Sequence, residues 1–202
     1  TSVQDMILTD LTLDGKKRKV ILHAPKNGFF FVIDRTNGKF ISAKPFTDVN
    51  WATGYDRKGR PVETPEARSR EAFDSIPGPF GAHNWHAMSF NPKTGLAYFP
   101  VQNVPINLAE DKSWTHNGNQ PGQPQSGTGW NTGMLINSQA PKSKPFGRLV
   151  AWDPVAQKEV WRQEYASPWN GGTLTTAGNL VFAGTADGRF AAGAGRAAAS
   201  SG

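Results

Sequence analysis

The chain has 202 residues, no cysteine and a formal net charge of +6. The missing cysteine excludes disulfides, thiolate nucleophiles, cysteine-based zinc sites and C-x-x-C-H haem attachment within these residues. No apolar run reaches membrane-spanning length, and the start, TSVQDMILTD, lacks the basic-then-apolar pattern of a signal peptide, so it reads as a mature or truncated start with no membrane span.

Helical periodicity is almost absent, and short strands follow one another between Gly, Asn and Asp turns. The first pair, 6–13 and 19–23, flanks Asp14-Gly15, a hairpin-turn signal. The densest basic run, Lys16-Lys17-Arg18-Lys19, follows that turn directly. It reads as a solvated hairpin tip. No aromatic residues interleave with the charges, as a single-strand-binding surface requires, so nucleic acid is not expected as a partner. Strands at 28–34 and 39–43 flank Arg35-Thr36-Asn37-Gly38, and strands at 86–90 and 96–101 flank Asn91-Pro92-Lys93-Thr94-Gly95. Further strands are predicted at 147–152, 159–164, 173–176, 180–184 and 189–192. Segments 44–79 and 102–146 interrupt this pattern. Both are polar, yet Trp51, Tyr55, Trp114 and Trp130 need somewhere to pack, which suggests ordered loops on a rigid scaffold.

The pattern is all-β. A repeat favours a radial array: FVIDRTNGKFIS (31–42), MSFNPKTGLAYFP (88–100) and VAWDPVAQKEVW (150–161) each read as strand, acidic or amide residue, turn, strand. Asp34, Asn91 and Asp153 recur about every 60 residues, which a four-stranded blade with one long loop would explain. These three are assigned to turns, where a side-chain oxygen caps nearby backbone N–H groups.

AWDP…KEVW (151–161) resembles the tryptophan docking motif of quinoprotein β-propellers, with Trp161 at the final position and Ser42 standing there in the first copy. VILHAPKNGFFFVIDRTNGKFISAK (20–44), GPFGAHNWHAMSFNPKTGLAYFP (78–100), QSGTGWNTG (125–133), KPFGRLVAWDP (144–154) and SPWNGGTLTTAGNLVFAGTADGRF (167–190) together resemble the pyrroloquinoline quinone (PQQ)-dependent alcohol dehydrogenases, most closely the soluble quinohaemoprotein type. The resemblance implies part of an eight-bladed propeller over residues 1–190, in roughly the second half of that domain. It also implies a periplasmic enzyme that oxidises primary alcohols to aldehydes with PQQ and Ca²⁺. Electrons would pass to a haem c in the full-length protein, to a cytochrome c or to another acceptor. The Ala/Gly/Ser-rich stretch 191–202 is expected to be a tail that forms no packed blade edge.

His83-Asn84-Trp85-His86 poses the sharpest question of function. By residue type alone it is a metal site, a catalytic cluster or a grip on a flat polar ligand. In an extended strand His83 and His86 would point to opposite faces, and no cysteine or carboxylate lies nearby, so no metal ligand is assigned. The resemblance implies that Asn84 and Trp85 contact PQQ and that Lys26, in HAPKNGFF, reaches the reactive quinone carbonyls. A fixed ammonium there stabilises the charge that reduction places on those oxygens. Trp169 and Asn170 are further candidates to face the cofactor. The resemblance places the catalytic Asp, the Ca²⁺ ligands, a vicinal disulfide and a PQQ-stacking Trp upstream of Thr1, so no catalytic residue is assigned here. An open propeller arc is expected to be marginally stable alone. The competing reading is a non-catalytic propeller scaffold for protein–protein contacts, which has no need of Lys26 converging with Asn84 and Trp85.

Overall fold

The computed structural model describes residues 3–112 and 133–195. In chain order these form β1 (Ile7–Leu13), β2 (Lys16–His23), β3 (Phe29–Asp34), β4 (Phe40–Pro45), β5 (Ala52–Tyr55), β6 (Pro61–Glu63), β7 (Phe73–Ser75), β8 (Ser89–Asn91), β9 (Leu96–Asn103), β10 (Ile106–Glu110), β11 (Met134–Ile136), β12 (Phe146–Asp153), β13 (Lys158–Tyr165), β14 (Asn170–Thr175), β15 (Leu180–Thr185) and β16 (Phe190–Ala194). A single 3-10 turn occupies Pro65–Arg68 among the described residues.

Three antiparallel sheets carry the architecture: β1-β2-β3-β4, β8-β9-β12-β13 and β14-β15-β16. Their first strands begin at Ile7, Ser89 and Asn170, a spacing of 82 and then 81 residues. These are successive blades of a β-propeller, and the 60-residue period needs correcting. The Asp34 and Asp153 turns join the third and fourth strands of their blades, whereas the Asn91 turn joins a first and second strand. The same turn chemistry serves two positions. The third-to-fourth hairpins also share a bulge, between Val32 and Ile33 in one and between Ala151 and Trp152 in the other, at the same distance before the Asp.

Period-two alternation explains the packing, because successive side chains leave opposite faces of a sheet. The middle blade is covered on both sides, and every residue of β9 is buried. Ala97, Phe99 and Val101, with Val150 and Trp152, pack against Val20, Leu22, Phe30 and Val32 of the first blade. Leu96, Tyr98, Leu149 and Ala151 face Val181 and Ala183 of the third. Trp161 lies over this second seam, 5.9 Å from Tyr98 ring to ring.

The two long segments have more structure than the sequence suggests. Hairpin β5–β6 brings Trp51 and Tyr55 onto the outer face of the first blade, against Phe29, Phe31 and Phe40. β7, β10 and β11 form a small sheet of their own. Trp114, Trp130 and residues 125–132 of the matched motif lie outside the described residues. At the other end, β16 continues four residues past position 190 and pairs with β15. The ladder extends past 190 because it needs only backbone N–H and C=O groups, which Ala and Gly supply, while the side chains of β16 stay exposed, so this edge is paired without being packed. Gly195 is then docked, its N–H donating to the Asn179 carbonyl at 2.6 Å and its carbonyl accepting from the Tyr98 hydroxyl.

Candidate functional site

Lys26 sits in the β2–β3 connection, half-buried, in a turn built by its neighbours. Asn27 Oδ1 accepts from the Phe29 N–H at 3.1 Å, and its Nδ2 donates to the Tyr55 hydroxyl at 3.1 Å. The Trp51 indole N–H caps the Asn27 carbonyl at 3.0 Å. The first long segment thus holds the Lys26 turn from behind.

The loop leading to β8 crosses in front of this turn. The Ala82 N–H donates to the Lys26 carbonyl at 2.9 Å. Gly81, at φ +82°, passes so close that a Cβ there would lie 2.8 Å from Lys26 Cα, so only glycine fits. The loop is not the strand predicted from 86, since β8 starts at Ser89. Side chains and scattered backbone bonds fix it in place of a ladder. The Gln102 N–H donates to the Ala82 carbonyl at 2.7 Å, Gln4 Nε2 to the His83 carbonyl at 3.1 Å, the Met88 N–H to an Asp5 carboxylate oxygen at 3.2 Å, and the Thr173 N–H to the Ala87 carbonyl at 2.8 Å. One loop is thereby fastened to all three blades.

His83 and His86 are both buried, contrary to opposite faces of a strand. His83 Nδ1 lies 2.6 Å from the Ala24 carbonyl and Nε2 lies 2.8 Å from the His86 carbonyl. Both ring nitrogens face backbone carbonyls, of which the neutral ring donates to one, and this gives the histidine a structural role. Burial pushes its pKa down, and the two carbonyls offset only part of that shift. Burial likewise lowers His86 and His23. Among the described residues no group of three or more His, Cys, Asp or Glu side chains is arranged to hold a metal ion.

Asn84 Nδ2 donates to the Phe80 carbonyl at 2.8 Å, and its Oδ1 accepts from the Trp85 N–H at 2.9 Å. Half of the amide's capacity is spent on the loop, and one N–H and one lone pair remain to offer a ligand. Trp85 is 72% exposed, and its ring stacks on the buried His86 imidazole at 4.4 Å and 23°. An exposed tryptophan of this kind is the informative exception in a folded surface. Trp169 also reaches the loop, edge-on to Phe80 at 5.2 Å. Asn170 does not: its Nδ2 donates to the Ser167 carbonyl at 2.7 Å and its Oδ1 accepts from the Ala186 N–H. Phe80 was not legible as a site residue, because nothing in PFGAH separates it from a core phenylalanine.

No family model matches the chain. It is 67% identical over 193 residues to a quinohemoprotein alcohol dehydrogenase of Comamonas testosteroni, covering 95% of this chain and 27% of that protein. It is 65% identical to a 1-butanol dehydrogenase (cytochrome c) of Thauera butanivorans, covering 95% of this chain and 28% of that one. The crystal structure of the Comamonas testosteroni enzyme superposes with a TM-score of 0.86 over 94% of this chain and 28% of its own. A europium-containing methanol dehydrogenase superposes at 0.75 with 34% identity, covering 94% of this chain and 32% of that one. Fold and motifs together define a quinoprotein β-propeller. Within that class, the identity across nearly the whole chain marks it as a fragment of a PQQ alcohol dehydrogenase, spanning about a quarter of the length of the curated relatives it matches.

Proposed function

We propose that this chain supplies one side of the PQQ pocket of an alcohol dehydrogenase, through Lys26, Asn84 and Trp85. The observation that carries the reading is the crossing of two segments far apart in sequence. The Lys26 turn and the 79–88 loop are bonded to each other at Lys26–Ala82, with an exposed tryptophan and a partly free amide on the same loop.

The residues fit the group. PQQ is a flat, carbonyl-rich, anionic cofactor that takes up two electrons and two protons from an alcohol. Among the described residues no carboxylate forms an ion pair with Lys26, so its ammonium is free to meet developing negative charge. Asn84 supplies an amide N–H, and Trp85 a flat wall and an indole N–H. The 79–88 loop, fastened to three blades, holds these groups in place before the ligand arrives, as electrostatic stabilisation requires.

The whole protein is proposed to oxidise primary alcohols to aldehydes in the periplasm. A Ca²⁺ ion and the catalytic Asp would come from other parts of the protein, and electrons would leave to a haem c, a cytochrome c or another acceptor. The relatives named for quinohemoprotein and cytochrome c chemistry support this reading.

In the full-length dehydrogenase, Lys26→Met is expected to lower kcat by about 10²- to 10³-fold, as loss of a charge-stabilising donor does elsewhere. The circular dichroism spectrum should be unchanged. An unaltered kcat would remove Lys26 from the site, and a full-length protein with no PQQ-dependent turnover at all would favour the non-catalytic scaffold.

A further inference from the structure

The proposed pocket has two arms that come from different blades, and one buried side chain joins them. Ala24, two residues before Lys26, presents its carbonyl to His83 Nδ1 at 2.6 Å. His86, directly after Trp85, presents its carbonyl to His83 Nε2 at 2.8 Å. The imidazole is completely buried and packs against Phe99, 5.8 Å between ring centroids. It therefore spans the gap between the Lys26 arm and the Trp85 arm. His86 transmits the restraint, because its ring carries the stacked indole of Trp85.

We infer that His83 is a positioning residue that sets the separation and mutual angle of Lys26 and Trp85 across the cofactor pocket. This inference rests on the assignment of those two residues to PQQ. His83 touches no ligand itself. It acts through the Ala24 and His86 carbonyls, and few other side chains can do so. The neutral imidazole donates its one N–H to one of the two carbonyls and packs its other nitrogen against the second, and its rigid ring fixes the distance between them. A flexible amide of similar length lacks the rigid ring that holds the two carbonyls at this separation.

The test is a PQQ titration of the full-length apo-dehydrogenase in the presence of Ca²⁺, read by quenching of tryptophan fluorescence and by the cofactor's own absorbance. Turnover is not required for either signal. His83→Gln is expected to weaken PQQ binding about tenfold, the scale of one lost hydrogen bond at a preorganised site. Val150→Ala, a cavity variant in the blade core, serves as a control for general loss of stability and is expected to leave the affinity unchanged. In a double-mutant cycle, the coupling between Lys26→Ala and Trp85→Phe should be present with His83 in place and absent in the His83→Gln background. Unchanged affinity and unchanged coupling in His83→Gln would overturn the inference. So would an equal loss of affinity in Val150→Ala, since the effect would then be one of stability. If Lys26→Ala and Trp85→Phe themselves leave PQQ affinity intact, the cofactor assignment fails first and carries this inference with it.

Discussion

At the scale of single residues, the turn positions show how one chemistry is reused. Asp34 Oδ1 accepts from the Thr36 N–H at 2.8 Å, Asn91 Oδ1 from the Lys93 N–H at 2.9 Å, and Asp153 Oδ1 from the Val155 and Ala156 N–H groups at 2.8 and 2.9 Å. Four residues after each, the chain turns left-handed: Gly38 at φ +74°, Gly95 at +71° and Gln157 at +54°. The first two are free of strain, but a Cβ in that region costs energy. Gln157 recovers part of it by donating from Nε2 to the Pro154 carbonyl at 3.0 Å. Gln157→Gly should therefore raise stability by about 0.5–1 kcal/mol, measured as a higher urea midpoint at unchanged slope. A lower midpoint would mean that the side-chain bond outweighs the strain.

At the scale of elements, the 79–88 loop is held by side chains and scattered backbone bonds rather than by a ladder, and the buried histidines in and beside it give it a pH response. His23, His83 and His86 have pKa values lowered by burial. The unfolded value is about 6.5. For groups depressed in the folded state, the stabilising contribution is complete above that value and is lost as pH falls through it towards the folded values. The unfolded loop then binds more protons, so each histidine removes up to about 1.4 kcal/mol per pH unit. Asp34, Asp74 and the other shifted carboxylates act only at lower pH. Hydrogen exchange at the amides that tie down the loop, Ala82 and Gln102, should accelerate between about pH 7 and 5.5 beyond the intrinsic trend, while β9 amides bonded within the sheet, such as Phe99, keep theirs. Equal behaviour in both places would contradict the histidine lock. This element also marks where sequence reading stops. The hairpins were legible because alternation and Asp or Gly turns are local signals, and β1 to β4 emerge within a few residues of their predicted bounds. β7, β10 and β11 carry no local strand signal, because Phe73, Leu108 and Ile136 are short apolar points whose pairing is set by distant partners. Lys26 and Trp85 came from the motif resemblance. Their residue types alone fit a turn and a surface, and the Lys26–Ala82 and Ala24–His83 contacts show that the two segments meet.

At the scale of the whole molecule, the middle blade is finished and its neighbours are not. The first blade has hairpin β5–β6 over part of its outer face, yet Met6 and Leu8 remain 55% and 61% exposed. The third blade shows Leu174 at 61% and Phe190 at 76%, with Phe190 stacked on Phe182 across neighbouring strands. Contiguous apolar exposure of this kind marks a contact surface, and in a propeller the contact is another blade. On the proposed function, the chain is an arc that carries one side of a cofactor pocket and leaves the catalytic base to the rest of the protein. The most direct measurement is a PQQ titration of this chain with Ca²⁺ present, following tryptophan fluorescence together with ethanol-dependent dye reduction. The prediction is quenching that Trp85→Phe abolishes, with no dye reduction at any PQQ concentration. Quenching that survives Trp85→Phe, or dye reduction by the chain alone, would contradict it.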